Sequence, residues 1–171
     1  MAILNPFSFR VAQWMRLGVL FCAAAAGTVR ASDPPTALQV KSVFLLNLSR
    51  FVHWPEEVLP SDESPFVIGV LPYDPIYGVL ARAAAGERVG THPLQVAKVG
   101  TVGEMKACHL IYFSQAGLPE AAQTVAALRG RPVLLVSDSD GFFRLGGHVI
   151  LFSRGGRMRL GIDLENLRSA R

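Results

Sequence analysis

The stretch that decides the fold is His109–Ser137, "HLIYFSQAGLPEAAQTVAALRGRPVLLVS". Two apolar runs, at residues 109–114 and 132–137, flank a helix-forming segment at 119–130 that ends in a glycine. Each run has the length and composition of a strand buried on both faces. A strand, a helix and a second strand at this interval predict a βαβ unit, and therefore a parallel sheet.

The same alternation extends toward the N-terminus. Residues 37–52 carry apolar side chains at helical spacing, with Thr36 as a cap before them and Pro55 as a stop after them. We expect, in chain order, a helix, a buried strand, a helix, an edge strand and a short helix over residues 37–52, 66–71, 77–86, 94–99 and 101–107.

After residue 137 the pattern changes. Two strand-like runs, 148–153 and 157–163, are separated by "RGG", which is the spacing of an antiparallel hairpin. The sequence thus predicts an α/β fold: a three-layer sandwich with a mostly parallel sheet between helices and a C-terminal antiparallel hairpin.

The first 31 residues have the pattern of a secretory signal peptide. A leader containing Arg10 and Arg16 precedes the apolar stretch 17–29, and small residues precede an expected cleavage after Ala31. An uncleaved membrane anchor is the alternative. We therefore expect a periplasmic protein whose single domain spans residues 32–171.

Removal of the leader changes the charge of the protein. It takes away three of 17 basic residues and no acidic residue, so that 14 basic face 13 acidic residues. Nucleic-acid binding requires a clustered basic face, and only Arg154, Arg157 and Arg159 are grouped. We expect no nucleic-acid partner.

The expected mature chain has one cysteine, Cys108. An intramolecular disulfide is therefore impossible, and a domain of about 140 residues can bury a sufficient core without one. Cys108 opens the apolar run "CHLIYF", so we favour a buried, unreactive thiol over a redox role.

Polar residues follow two of the expected parallel strands. Tyr73 and Asp74 come after the strand 66–71, and Asp138 and Asp140 come after the strand 132–137. In open α/β sheets the ligand crevice lies beyond the carboxyl ends of the strands, so these four residues form a candidate crevice. Asp138, Asp140 and Gly141 begin like a calcium loop, but no glutamate closes it, and we expect no metal.

The sequence does not favour an enzyme. Its four histidines show no spacing typical of a metal site or a catalytic triad, and no phosphate-binding glycine loop follows a strand. Asp138 and Asp140 could form an acid/base pair, but neighbouring loop aspartates more often cap turns. We expect no cofactor.

Four stretches together resemble the YfiR-like family of periplasmic proteins. They are "KSVFLLNLSRFVHWPEE" from Lys41, "PFVIGVLPYDPIYGVL" from Pro65, "CHLIYFS" from Cys108, and "PVLLVSDSDGFFRLGGHVILF" from Pro132 continuing to "RMRLGID". The resemblance implies a repressor that binds the periplasmic domain of an inner-membrane diguanylate cyclase. It thereby limits cyclic di-GMP and biofilm formation until an outer-membrane partner sequesters it.

Two departures from the family pattern restrict what the resemblance implies. Family members usually continue into a longer helical tail, whereas "LENLRSAR" ends this sequence, and the cysteine pairs of better known relatives have no counterpart. Whether the protein forms a homodimer stays open. The alternative function is a periplasmic small-molecule sensor subunit that acts with a receptor or histidine kinase.

The candidate partner-binding residues lie where the βαβ rhythm breaks. Phe142 and Phe143 belong to the "DGFF" loop, and Arg157 and Arg159 belong to the "RGGRMR" hairpin. Aromatic and arginine side chains are enriched at protein interfaces. Whether one phenylalanine faces outward or both pack under the loop stays open at this point.

Overall fold

The computed structural model describes residues 34–168 and confirms the predicted α/β fold. In chain order the elements are α1 (Ala37–Phe51), a 3-10 turn (Glu56–Val58), β1 (Phe66–Val70), α2 (Ile76–Ala84), β2 (Arg88–Val89), β3 (His92–Lys98), α3 (Val102–Met105), β4 (Leu110–Phe113), a 3-10 turn (Gln115–Gly117), α4 (Leu118–Leu128), β5 (Leu134–Ser137), a 3-10 turn (Phe142–Leu145), β6 (Val149–Arg154), β7 (Arg157–Ile162) and α5 (Leu164–Arg168). The expected signal peptide, residues 1–31, lies outside the described residues.

The sheet has seven strands in the order β2-β3-β1-β4-β5-β6-β7. The strands from β3 to β6 are parallel to one another, and β2 and β7 are antiparallel to their neighbours. The expectation that the strand at 94–99 forms an edge is wrong, because the two-residue strand β2 pairs outside it. The strand order reverses at β1, which lies between β3 and β4, so the crevice expected for this topology lies at the carboxyl ends of β1 and β4.

Each face of the sheet has its own hydrophobic core. On one face, α1 and α2 pack on alternate residues of the strands, which include Phe66, Ile68 and Tyr112. On the other face, α3 and α4 pack on the intervening residues, which include Ile111 and Phe113. Burial on both faces explains why these strands are continuously apolar in the sequence.

Threonine residues cap two helices. Thr36 accepts a hydrogen bond from the backbone N–H of Gln39, whose side chain in turn accepts from the backbone N–H of Thr36, so the predicted cap is confirmed. Thr101 and Glu104 form the same arrangement at α3. This reciprocal bonding explains how a helix of four residues begins at a defined position.

The C-terminal hairpin has the predicted antiparallel pairing. The six residues of β7 pair with the six of β6 in unbroken register from Val149↔Ile162 to Arg154↔Arg157. Gly155 and Gly156 form the connection with φ values of 60° and 70°, which lie in the left-handed region that favours glycine. Between residues 34 and 168 no helix has the length and hydrophobicity needed to cross a bilayer.

Candidate functional site

Asp74 lies buried where the chain leaves β1. The residue is 5% exposed, and its Oδ1 accepts a hydrogen bond of 3.0 Å from the backbone N–H of Ile76 at the start of α2. The second oxygen, Oδ2, is buried and has no hydrogen-bond partner. A buried carboxylate oxygen without a donor is costly, so it is a position where a donor from water or a ligand would be stabilising.

Asp138 lies where the chain leaves β5, two strands from β1. Its Oδ2 forms an ion pair of 2.5 Å with Lys41 Nζ of α1, and both side chains are mostly buried. Its Oδ1 is buried and has no hydrogen-bond partner of ordinary geometry.

Tyr112 of β4 links the two carboxylates. Burial raises the pKa of its phenol, and the charge of Asp138, a side-chain hydrogen bond with Asp138 and the charge of Asp74 raise the pKa further. Asp74 follows β1 and Asp138 follows β5, and these strands are the two neighbours of β4 in the sheet, so the aspartates lie on either side of the β4 carboxyl end. We call Lys41, Asp74, Tyr112 and Asp138 the polar cluster.

The other two candidate crevice residues lie at the surface. Tyr73 is 56% exposed, and the pKa of its phenol is raised by desolvation and by the charge of Glu120. Asp140 is exposed and makes no hydrogen bond or ion pair with any residue between 34 and 168. The structure therefore brings together Asp74 and Asp138 of the four candidates, and it does not join Asp138 and Asp140 as an acid/base pair.

Sequence reasoning missed Lys41 and Tyr112. Lys41 follows Leu38 by three residues and precedes Leu45 by four, so it falls on the buried face of α1, and this position was the available signal. Tyr112 stands in a strand buried on both faces, where a phenol normally requires a polar partner. No cluster of three or more metal-ligating acids, histidines or cysteines occurs in the part of the chain that the structure describes.

The structure places Phe142 in the core, so the expectation that this ring reaches a partner must be corrected. Phe142 is 0% exposed and packs against Phe113 with ring centroids 5.7 Å apart. Gly147 makes room for it, because a Cβ at that position would lie 2.1 Å from Phe142 Cδ1. The ring is thus a structural residue beneath the loop.

Phe143, Arg157 and Arg159 lie at or near the surface. Phe143 is half-buried, and its Cζ would lie 3.5 Å from a Cβ built on Gly161 of β7. Alternate residues of a strand share a face, so Arg157 and Arg159 lie on the same face of β7 as Gly161. Both arginines are exposed. The loop and the hairpin therefore form one surface, which we call the Phe143–arginine face.

Two buried histidines join neighbouring strands at the amino ends of β4 and β6, at the end of the sheet opposite the polar cluster. We call this end of the sheet the histidine edge. His109 accepts a hydrogen bond of 3.0 Å at Nδ1 from the backbone N–H of Val67. The backbone N–H of His109 donates a hydrogen bond of 2.9 Å to the carbonyl of Val67. His148 makes the same pair of bonds with Leu135, at 3.1 Å and 3.1 Å. Each imidazole thus takes the place of a backbone carbonyl between neighbouring strands.

Burial lowers the pKa of both imidazoles. For His109 the backbone carbonyl of Val58, which accepts from Nε2, opposes the effect of burial. For His148 burial lowers the pKa to about 4, with a weaker opposing effect from the charge of Asp163. Because a protonated Nδ1 cannot accept a hydrogen bond, both rings are held in the neutral form that the sheet requires.

Small cavities lie at this histidine edge. One of about 240 Å³ is lined by His148 and one of about 260 Å³ by His109. A mainly apolar one of about 300 Å³ lies beside Trp54 and Leu167. The Trp54 ring packs edge-on against Phe66 at 4.9 Å and donates a hydrogen bond of 2.9 Å from Nε1 to the Ser49 carbonyl.

Cys108 is buried, as predicted from its apolar run. Its Sγ lies where a side chain at Gly69 of β1 would be, because a Cβ there would approach Sγ to 2.8 Å. Burial raises the pKa of the thiol to about 11, and the charge of Glu104 adds to the effect. The thiolate is therefore disfavoured, and the residue fills space in the core.

Comparison with known families gives one result. A family model described as YfiR/HmsC-like matches residues 38–171, which includes the polar cluster, the histidine edge and the Phe143–arginine face. A comparison with curated proteins finds no match.

Proposed function

We propose, because the chain belongs to the YfiR/HmsC-like family, that it is a periplasmic regulator that represses an inner-membrane diguanylate cyclase. In this proposal the chain binds the periplasmic sensor domain of the cyclase and lowers the output of cyclic di-GMP, and with it biofilm formation. The observation that carries the proposal is the family match over residues 38–171. That family is regulatory rather than catalytic.

The export signal predicted in residues 1–31 is consistent with this location. The YfiR family consists of periplasmic proteins, and cleavage near Ala31 would release the domain on the side of the membrane where a sensor domain is accessible. Release of the repressor by an outer-membrane partner belongs to the same proposal.

The Phe143–arginine face is the surface we propose for the cyclase. Arg157 and Arg159 form no ion pair with any residue between 34 and 168, where the ion pairs are Lys41–Asp138 and Arg50–Glu87. Their guanidinium groups are thus available to pair with carboxylates, which arginine can do through two parallel hydrogen bonds. The half-buried Phe143 supplies an apolar contact beside them.

Co-purification from membranes tests this proposal. The full chain, expressed with its leader and a C-terminal affinity tag, should retain a membrane cyclase that has a periplasmic domain, and the retained cyclase should be less active than the free enzyme. The double variant Arg157→Glu/Arg159→Glu should lose the cyclase, whereas Arg129→Glu/Arg131→Glu, which reverses two exposed arginines elsewhere, should keep it. Retention of the cyclase by both double variants would exclude this surface, and no retention by the unmodified chain would contradict the proposed function.

The polar cluster favours a second candidate, a small-molecule sensor subunit. One buried carboxylate oxygen without a hydrogen-bond partner, Oδ2 of Asp74, follows the carboxyl end of β1, where ligands bind in this topology. A ligand with an N–H or O–H donor would satisfy this oxygen. Native mass spectrometry of the chain purified from the periplasm should then show a bound mass that is absent from Asp74→Ala; a chain without any bound mass would count against this candidate.

A further inference from the structure

The two edges of the sheet differ in how accessible they are to another strand. The β2 edge is short, since β2 has two residues and its neighbour β3 contains Pro93, which has no N–H to donate. The β7 edge has six residues, "RMRLGI", without proline and without a bulge in its register. Proteins usually protect exposed edges by shortening, proline, bulges or charged side chains, and of these devices the β7 edge has only the charges of Arg157 and Arg159.

The hairpin register shows which backbone groups of β7 are free to pair. The backbone N–H of Asp163 donates a hydrogen bond of 2.9 Å to the carbonyl of His148, and the two-residue turn closes on the pair Arg154–Arg157. Hydrogen-bonded pairs alternate along an antiparallel ladder, so the backbone groups of Met158, Leu160 and Ile162 point away from β6. In the described part of the chain no strand pairs with this side of β7.

The helix that follows β7 does not cover the edge. Leu167 of α5 packs against the core beneath α1, and Asn166 donates hydrogen bonds of 3.0 Å to the carbonyls of Phe143 and Gly147. These contacts direct α5 back across the ends of β5 and β6.

The two faces of β7 differ in chemistry. Met158 and Leu160 pack against the core on one face, and Ile162 continues that apolar row although it is 49% exposed. Arg157 and Arg159 project from the other face. An added strand would therefore place alternate apolar residues beside the first row and alternate carboxylates beside the arginines.

We propose that the β7 edge takes an extended segment of the partner as an eighth strand, with acidic and apolar residues in alternation. This inference rests on the proposed function, because it gives the mode by which the Phe143–arginine face holds its partner. Backbone hydrogen bonds to residues 158, 160 and 162 supply affinity, and the arginines select for carboxylates. Binding by strand addition requires little movement of the sheet.

A designed peptide of alternating glutamate and valine, acetylated, amidated and about eight residues long, is the probe. It should bind the full chain and shift the amide resonances of Met158, Leu160 and Ile162. A lysine–valine peptide should bind at least about tenfold more weakly, because the arginines then face like charges. The glutamate–valine peptide with alternate backbone nitrogens methylated should also bind at least about tenfold more weakly, since it cannot donate to the edge.

A proline variant tests the edge from the side of the protein. Ile162→Pro removes an outward N–H without removing a hydrogen bond to β6. It should weaken binding of the glutamate–valine peptide at least about tenfold, whereas Ile162→Val should leave this binding unchanged. The methylated peptide keeps the test decisive should the proline variant fail to fold.

Binding that is unaffected by N-methylation, or no binding at all, would overturn the strand-addition proposal. A chain that dimerises on its own and becomes monomeric as Ile162→Pro would overturn it in favour of a second copy as the occupant. Cyclase retention in the co-purification assay without peptide binding would leave the proposed function standing and reject this mode. Peptide binding without cyclase retention would contradict the proposed function and leave strand addition at the β7 edge standing.

Discussion

Acid should destabilise the fold through His148. The pKa of this imidazole is about 4 in the folded chain, against 6.5 for an unperturbed histidine. Above pH 6.5 the ring is neutral in the folded and unfolded states, and its contribution to stability is complete. Between pH 6.5 and 4 the unfolded chain binds a proton that the folded chain does not, so the free energy of unfolding falls; below pH 4 both states are protonated and no further loss occurs.

The expected loss is about 3 kcal/mol, since each pKa unit between the two states corresponds to about 1.4 kcal/mol. The residue is only 5% exposed, so solvent should screen this contribution little. Carboxylates and His109 also titrate with acid, and a matched variant is needed to isolate the effect. His148→Asn places an oxygen near the position of Nδ1, where it can accept from the Leu135 N–H without titrating.

Urea unfolding of both proteins at a series of pH values between 7 and 4 measures the difference. The unmodified chain should lose about 3 kcal/mol more than His148→Asn over this range, with most of the difference gained between pH 6 and 4.5. Parallel curves for the two proteins would refute the reasoning, because they would mean that His148 binds its proton equally well in both states.

Three substitutions and one reactivity measurement test other parts of the structure. Lys41→Met should cost about 3–5 kcal/mol because it leaves the Asp138 carboxylate buried and unpaired, and adding Asp138→Asn should recover much of the loss in urea unfolding. Phe142→Ala should lower stability by about 3–5 kcal/mol in the same assay, whereas a surface ring would lose little. Trp54→Ala should cost about 3 kcal/mol, and an unchanged melting temperature would show that the ring contributes nothing. Cys108 should react with a thiol reagent at pH 8 in denaturant and not in the native protein; rapid native reaction would contradict its raised pKa.

The sequence predicted the layers of the fold because the strands and helices carry strong periodic signals. The run "HLIYF" and the run "PVLLVS" are apolar throughout, and burial on both faces is the physical cause of that pattern. The strand β2 gives no such signal, because two residues are too few to show a period. The prediction that β3 is an edge strand was wrong for this reason.

The candidate site was predictable in position and less so in membership. The rule that ligand crevices lie beyond the carboxyl ends of parallel strands led to Asp74 and Asp138, since it requires only the succession of strands and helices along the chain. Lys41 reaches Asp138 across 97 positions of the sequence, and no local pattern encodes such a contact. The burial of Phe142 depends on Gly147, which leaves space for the ring, and two adjacent phenylalanines do not reveal which one will take it.

The second-messenger level in cells tests the central claim most directly. Deleting the gene should raise intracellular cyclic di-GMP and surface attachment, and expression of the unmodified chain from a plasmid should restore both to their original level. Arg157→Glu/Arg159→Glu should fail to restore them, whereas Arg129→Glu/Arg131→Glu should succeed. An unchanged cyclic di-GMP level in the deletion strain, measured under conditions in which the protein is present in the parent periplasm, would contradict the account of the chain as a repressor of a diguanylate cyclase.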